Sequence, residues 1–225
     1  MNNMMLYILC FIPPMLLAVY AQGLVKSRYA MASRRPARMT GAAAARKILD
    51  SAGLTHVEIR MTEGVLTDHY DPRSKTVNLS PDVYQGETLA AVGIAAHEVG
   101  HAIQDATRYP LMVIRQMAVP MASFGSGAAM WVLIAGLVLH ITGLAVAGVV
   151  LFGAVALFQI INLPVEFNAS SRAKEQLATL GVIEGDDLTV VRKVLGAAAL
   201  TYVAAMLAAL LQFLYFASIV FGRRD

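Results

Sequence analysis

Charged residues are scarce in this sequence. They make up 15% of its 225 residues, whereas soluble domains carry about 25%. The deficit is concentrated, because residues 4–25, 116–165 and 195–221 contain no Asp, Glu, Lys or Arg. Such a composition argues against a soluble cytosolic enzyme and favours a membrane protein.

Cysteine is almost absent as well. Cys10 is the single cysteine, so the chain cannot form an intrachain disulfide. A large surplus of positive charge is also missing, because the formal net charge is only +3. We therefore expect the lipid bilayer, and no nucleic acid, as a partner of this chain.

The uncharged stretches predict four membrane spans. About 20 apolar residues cross a bilayer as a helix, so residues 4–25 suffice for one span and residues 116–165 for two. The two middle spans should turn around residues 140–143, and residues 195–221 form the fourth. The first stretch lacks a basic n-region and a convincing cleavage site, so we interpret it as a membrane span and not as a signal peptide.

The basic residues indicate how these spans are oriented. Apart from Arg223 and Arg224, every Lys and Arg lies within residues 26–115 or 172–193. Positively charged segments next to membrane spans stay in the cytoplasm. We therefore expect both polar segments to face the cytoplasm, both termini to face outward, and the protein to lie in the cell membrane.

The predicted fold class is a mainly α-helical multi-pass membrane protein with a small α+β region. Its segments are a first span (1–25), a cytoplasmic region (26–115), a helical hairpin (116–163), a helix with a following segment (164–194), and a fourth span with a short tail (195–225). In the cytoplasmic region we predict a helix over 41–52 capped by Thr40, a second helix that opens at 80–82, and a longer helix over 87–107. Between the first two helices we predict a half-buried strand over 57–61 and two extended pieces, 65–70 and 76–79, that are joined by a turn at 71–74. The edge of such a strand pair could bind an extended peptide.

The longer helix carries the motif His97-Glu98-x-x-His101. Two histidines four residues apart lie above one another on a helix face, so both imidazoles can reach one cation. The carboxylate of Glu98 then lies beside the open position of the metal, where a bound water needs a base. This arrangement is typical of zinc hydrolases.

A catalytic zinc ion normally has three protein ligands, so a third ligand must come from elsewhere. The other histidines are His56, His69 and His140, and the predicted topology places His140 at the far side of the membrane. The best candidate is Glu166, since Pro164 starts a helix where the third span leaves the membrane. The alternative is that Glu166 only stabilises this helix N-terminus.

Three segments resemble a known family. The sequences Thr-Asp-His-Tyr-Asp-Pro (67–72), His-Glu-Val-Gly-His-Ala-Ile-Gln (97–104) and Pro-Val-Glu-Phe-Asn-Ala-Ser (164–170) are similar to those of the YugP-like membrane zinc metallopeptidases, which resemble gluzincins and HtpX-type proteases in arrangement. The resemblance covers nearly the whole chain. It implies a zincin-like catalytic region with His97, His101 and Glu166 as ligands of one Zn²⁺ and Glu98 as the general base. Many gluzincins have an aspartate four residues after the ligand glutamate, where this chain has Ser170.

We therefore expect a membrane-embedded zinc endopeptidase that cleaves membrane proteins or their membrane-proximal segments. A hydrolase of non-peptide substrates would share these ligands, and a membrane assembly protein with a structural or vestigial zinc site is the other alternative. The donor to the oxyanion stays open among His69, Arg172 and the neighbouring Thr201 and Tyr202 of the last span, and these residues also have ordinary structural interpretations.

Overall fold

The computed structural model describes residues 3–222, apart from the side chains at positions 3, 121 and 123–126. Within these residues the chain forms seven helices and three short strands. In chain order they are α1 (Asn3–Ser33), α2 (Gly41–Ser51), β1 (Glu58–Met61), β2 (His69–Asp71), β3 (Thr76–Leu79), α3 (Pro81–Tyr84), α4 (Leu89–Ala106), α5 (Pro110–Val138), α6 (Thr142–Thr179) and α7 (Gly185–Phe221). The predicted fold class, mainly helical with a small α+β region, is confirmed.

Three helices are long and apolar enough to cross a membrane: α6, α7 and, in α1, the stretch Met4–Ser33. Among its described residues α5, the second predicted span, adds the shorter apolar stretch Gly127–Val138. Helices α5 and α6 are separated at His140, whose φ of 57° ends the preceding helix. The expectation of about four membrane helices is thus consistent with the structure, and the break falls at the predicted turn.

The chain divides into two compact units. Unit 1 comprises Met1–Ala21, Val113–Pro164 and Leu200–Asp225. Its core contains Leu133 and Val149, against which Phe213 and Phe216 pack. A Cβ atom at Gly148 would lie 2.6 Å from the Cα atom of Leu133. Because membrane helices lack a hydrophobic drive to associate, such small residues are needed where two backbones approach this closely.

Unit 2 comprises Gln22–Met112 and Val165–Ala199. Its first complete helix, α2, begins as predicted at Thr40, whose side chain accepts a hydrogen bond from the backbone N–H of Ala43. Since apolar residues recur at helical spacing, one face of α2 is buried in the core. The fully buried residues of this face are Ala44, Ala45, Ile48 and Leu49.

The sheet of unit 2 has the order β1-β3-β2. Strand β1 runs parallel to β3, with Glu58 opposite Thr76, and β2 runs antiparallel to β3, with Tyr70 opposite Val77. The predicted return strand over 76–79 and the turn before it are confirmed. Strands β1 and β2 therefore form the two edges, and β2 ends in the turn that leads to β3.

Two details of the strand prediction are wrong. The extended piece predicted from residue 65 is a strand only from His69, because Gly64 (φ 106°) and Leu66 (φ 57°) turn the backbone before it. The side chain of Val65 is 75% exposed. In the strand predicted to be half-buried through alternating apolar residues, Met61 is 54% exposed, because alternation of residue types does not by itself cover a face of an edge strand.

Candidate metal centre

Helix α4 carries the two histidines on one buried face. It begins at Leu89, two residues after the predicted start, where the side chain of the preceding Thr88 accepts a hydrogen bond from the N–H of Ala91. One turn separates His97 from His101, and the centroids of their rings are 4.9 Å apart. His101 is 6% exposed, and the side chain of His97 is 15% exposed, so solvent reaches the pair from the His97 side.

Glu166 completes the group from the interior of α6. The prediction that a helix starts at Pro164 is wrong, because α6 runs through this proline without a break, and Glu166 therefore does not lie at a helix N-terminus. Its Oε2 atom lies 3.2 Å from Nε2 of His97 and 3.5 Å from Nε2 of His101, and the residue is 2% exposed. One ligand atom from each of the three residues lies within 4.8 Å of the others. In the described part of the chain, these residues are the group of histidine and carboxylate side chains that could hold a metal ion.

The spacing of these three side chains fits a zinc ion. Four ligands at about 2.0–2.1 Å from a tetrahedral zinc ion lie about 3.3–3.4 Å from one another. The two distances from Glu166 Oε2 to the histidine Nε2 atoms, 3.2 and 3.5 Å, bracket that value. Two imidazole nitrogens and one carboxylate oxygen are also the donor types that a catalytic zinc site uses. The residues present therefore fit the metal.

A glycine allows α4 and α6 to approach at the level of the site. A Cβ atom at Gly100 would lie 2.5 Å from the carbonyl oxygen of Ala169, which is far closer than real Cβ atoms come. Gly100 lies between the two histidines in sequence, and Ala169 follows Glu166 by three residues. The side chain missing at Gly100 thus permits the Glu166 carboxylate to reach both imidazoles.

Each histidine is also held through its other ring nitrogen. Nδ1 of His97 lies 3.1 Å from the hydroxyl of Ser170, so the residue at the place of the gluzincin aspartate does contact a histidine of the group. Nδ1 of His101 lies 2.9 Å from Oε1 of Gln104. Partners of this kind fix the orientation of histidines that bind metals. Sequence reasoning missed Gln104, for which the available signal was a long polar side chain on the buried face of the helix.

Glu98 lies on α4 next to His97 and is 8% exposed. Its Oε2 atom accepts a hydrogen bond of 3.0 Å from the backbone N–H of Tyr70 in β2. The Tyr70 hydroxyl donates a hydrogen bond of 2.7 Å to Asp105, which also pairs with Lys75. Burial raises the pKa of the Tyr70 phenol well above its usual range, and the hydrogen bond to Asp105 and its charge raise it further. The hydroxyl therefore stays protonated as a donor.

The structure gives other partners to two of the candidates for the oxyanion donor. Nδ1 of the exposed His69 lies 2.8 Å from the carbonyl oxygen of Thr67. Because a carbonyl can only accept, Nδ1 carries the proton in neutral His69 and its Nε2 has no hydrogen to donate. Arg172 donates from Nε to Asn168 Oδ1 at 2.8 Å. Helix α7, within unit 1, contains the two remaining candidates, Thr201 and Tyr202.

The two remaining histidines are not part of the group. His56 is exposed in the segment between α2 and β1 of unit 2. His140 is exposed at the break between α5 and α6, in unit 1. Within the described residues, the structure thus brings together the two motif histidines and the predicted glutamate, and it leaves His56, His69 and His140 outside the ligand group.

Comparison with known proteins gives two matches of nearly full length. The family model described as "Putative neutral zinc metallopeptidase" matches residues 7–221. A protein of Bacillus subtilis (strain 168), described as "Putative membrane protease YugP", is 44% identical over 223 residues, which are 98% of this chain and 99% of that protein. No solved structure matches the chain.

Proposed function

The chain belongs to this family of neutral zinc metallopeptidases, and we propose that it is a membrane-bound zinc endopeptidase that hydrolyses peptide bonds of membrane or membrane-proximal proteins. The observation that carries the proposal is the meeting of His97, His101 and Glu166, with Glu98 next to His97 on the same helix. The same family assignment supports a zinc-dependent hydrolase in a membrane.

His97, His101 and Glu166 are the residues that would hold one Zn²⁺ per chain. When bound, the metal polarises the substrate carbonyl and lowers the pKa of its water to about 7. Structural zinc sites are normally closed by four protein ligands, whereas catalytic sites have three and keep one position open. In the described part of the chain the group has three members, which supports a catalytic site over a structural one.

Glu98 is the proposed general base. Because the Tyr70 N–H holds Oε2 of its carboxylate, Oε1 is left to take the proton from the attacking water. Glu98 then returns this proton to the nitrogen of the leaving amine. A membrane assembly protein whose metal only joined helices would have no use for a carboxylate held beside the metal in this way.

An extended peptide is the substrate shape that the sheet supports. Strand β2 is an edge strand, and the backbone N–H of Tyr70 points from this edge to Glu98. Glu98 already occupies the N–H of Tyr70 at this edge, so a peptide that adds to β2 would pair with the main-chain groups that Glu98 leaves and would lie next to the proposed base. This argument favours a peptide over a non-peptide substrate.

The proposed location is the cytoplasmic side of the cell membrane. The three long apolar helices support a membrane protein, and the basic residues of segments 26–115 and 172–193 favour the cytoplasm for both. In the sequence, Glu166 is the first charged residue after the uncharged stretch 116–165. A ligand at the end of a predicted span supports cleavage close to the membrane surface.

Zinc content and peptide hydrolysis test this function together. We expect the purified full-length protein in detergent to contain one zinc ion per chain and to cleave internal bonds of a library of quenched fluorescent peptides. His101→Ala and Glu166→Ala should lose both the zinc and the activity, whereas Glu175→Ala, at an exposed position of the same helix as Glu166, should keep both. Wild-type protein that binds no zinc after reconstitution would refute the proposal.

A further inference from the structure

The carboxamide of Gln104 connects the metal centre to α6. Gln104 is fully buried, and its Oε1 atom lies 2.9 Å from Nδ1 of His101. Its Nε2 atom donates to the carbonyl oxygen of Val165 at 2.8 Å and to Oδ1 of Asn168 at 3.0 Å. A buried amide is costly unless its donors and acceptor are paired, so this side chain has a defined place in the fold.

Both ends of this network determine which way each amide faces. The carbonyl of Val165 can only accept, so the nitrogen of the Gln104 amide must face it. At the other end, the guanidinium of Arg172 can only donate, so the oxygen of Asn168 must face Arg172. The same oxygen accepts from Gln104, which again requires the nitrogen of Gln104 on that side. Two independent contacts thus give one orientation.

That orientation determines the tautomer of His101. With its nitrogen toward α6, Gln104 presents its carbonyl oxygen to Nδ1 of His101, and this oxygen can only accept. Nδ1 of His101 therefore carries a proton. This leaves Nε2, the atom that lies 3.5 Å from Oε2 of Glu166, as the nitrogen through which His101 can bind a metal.

The tautomer of His97, the other histidine of the motif, is not determined by a partner of the same kind. Its Nδ1 partner is the hydroxyl of Ser170, which can either donate or accept. The contact with Ser170 alone is therefore compatible with both tautomers of His97. Nε2 of His97 also lies 3.2 Å from Oε2 of Glu166, however, and because a carboxylate oxygen can only accept, this second contact favours a proton on Nε2 in the metal-free protein. The two histidines of the motif differ in this respect although they occupy equivalent positions on the helix face.

We propose that Gln104 is a positioning residue that holds His101 in its Nδ1–H tautomer, with Asn168 and Arg172 holding Gln104. The inference rests on the proposed function only where it takes His101 as a metal ligand. Its consequence is that Nε2 of His101 already faces the ligand group before a metal arrives. Metal binding through Nε2 then requires neither a transfer of the Nδ1 proton nor a rotation of the ring.

A purely structural role for Gln104 makes a different prediction. If the amide only joined α4 to α6, replacing it would lower stability and leave the tautomer of His101 unchanged. The tautomer can be read in the metal-free protein from the ¹⁵N chemical shifts of histidines labelled in the ring. The signals of His101 are those that disappear in His101→Ala.

The first measurement is therefore made on wild-type protein after removal of metal with a chelator. We expect the His101 signal of a protonated, pyrrole-type Nδ1. An unprotonated, pyridine-type Nδ1 in His101 would overturn the proposal. This result does not depend on catalysis, so it separates the positioning role from the peptidase function.

Two substitutions then separate positioning from packing. Gln104→Leu removes the acceptor, and we expect a mixture of His101 tautomers and a zinc dissociation constant raised about 10- to 100-fold, as for other partners of metal-binding histidines. Gln104→Glu keeps an oxygen for Nδ1 and should keep the Nδ1–H form, but its second oxygen faces the acceptors at Val165 and Asn168, so we expect lower stability. Gln176→Leu, a partly exposed glutamine of α6, is the matched control and should change neither the tautomer nor the zinc affinity.

The outcomes distinguish the two proposals. An unchanged tautomer and unchanged zinc affinity in folded Gln104→Leu would overturn the positioning role. If Gln104→Leu does not fold, loss of the Nδ1–H form in Gln104→Glu would overturn it as well. The predicted tautomer and affinities in a protein that cleaves no peptide would support the positioning role and reject the peptidase.

Discussion

The backbone N–H of Tyr70 donates a hydrogen bond to Oε2 of Glu98, and the hydroxyl of the same tyrosine donates one to Asp105. Glu98 and Asp105 are seven residues apart, so they lie on one face of α4, two turns from each other. Tyr70 therefore attaches the edge strand β2 to the motif helix at two points. The strand proposed to bind the substrate and the proposed base are thus held in one place by one residue.

Tyr70→Phe should weaken the second attachment and leave the first intact. The phenol is lost as a donor to Asp105, which still pairs with Lys75. We expect the free energy of unfolding to fall by about 1 kcal/mol and kcat to fall while the zinc content stays at one per chain. Thermal unfolding, zinc analysis and peptide hydrolysis measure these effects. Loss of zinc would contradict our interpretation that Tyr70 positions the proposed base, Glu98, and does not support the metal ligands.

Gly100→Ala should disturb the metal centre because of the close approach of α6. The added methyl group would lie 2.5 Å from the carbonyl oxygen of Ala169, and such overpacking costs about 1–3 kcal/mol of stability. We also expect weaker zinc binding, since α6 carries Glu166. Gly196→Ala is the control, because a Cβ atom there meets nothing within 4 Å. Normal zinc affinity in Gly100→Ala would show that this contact does not set the position of Glu166.

Ser170→Ala should weaken zinc binding through His97. The substitution removes the hydroxyl that contacts Nδ1 of His97, and we expect the zinc dissociation constant to rise about tenfold, at the low end for such partners. Competition with a chromogenic chelator measures the change. Ser171→Ala, at the next and exposed position, should leave the affinity unchanged. Equal affinities of the two variants would mean that Ser170 does not support His97.

Metal removal should lower the thermal stability of the protein. A ligand that binds only the folded state at 100 times its dissociation constant contributes about 2.7 kcal/mol. We expect a chelator to reduce Tm in the wild type and added zinc to restore it. In Glu166→Gln, which lacks the charged ligand, neither treatment should move Tm by a comparable amount. A shift in Glu166→Gln equal to that of the wild type would place the stabilising metal elsewhere.

The orientation in the membrane can be tested by cysteine labelling of intact cells. In a Cys10→Ser background, Ser51→Cys, at the exposed last residue of α2, should react with an impermeant maleimide only after the cells are permeabilised. His140→Cys, at the turn between α5 and α6, should react in intact cells. The opposite pattern would put the proposed site on the outer face.

Sequence reasoning could predict the helices and the members of the ligand group from local rules. The spacing of His97 and His101 is set by the helical period, and the position of Glu166 after an uncharged stretch singled it out. It could not find the contact between Gln104 and Asn168, because these residues are 64 positions apart and meet only through the packing of α4 against α6. The start of β2 was also missed, since it depends on the positive φ angle of Leu66, which the sequence does not display.

The most direct test of the account is a paired measurement of zinc content and peptide hydrolysis in Glu98→Gln, with Glu175→Gln as the exposed control. The amide can still accept the hydrogen bond from the Tyr70 N–H, but it cannot take a proton from water. The account predicts one zinc ion per chain, as in the wild type, and a kcat lower by at least about 10²-fold. Full activity in Glu98→Gln with zinc bound would contradict it.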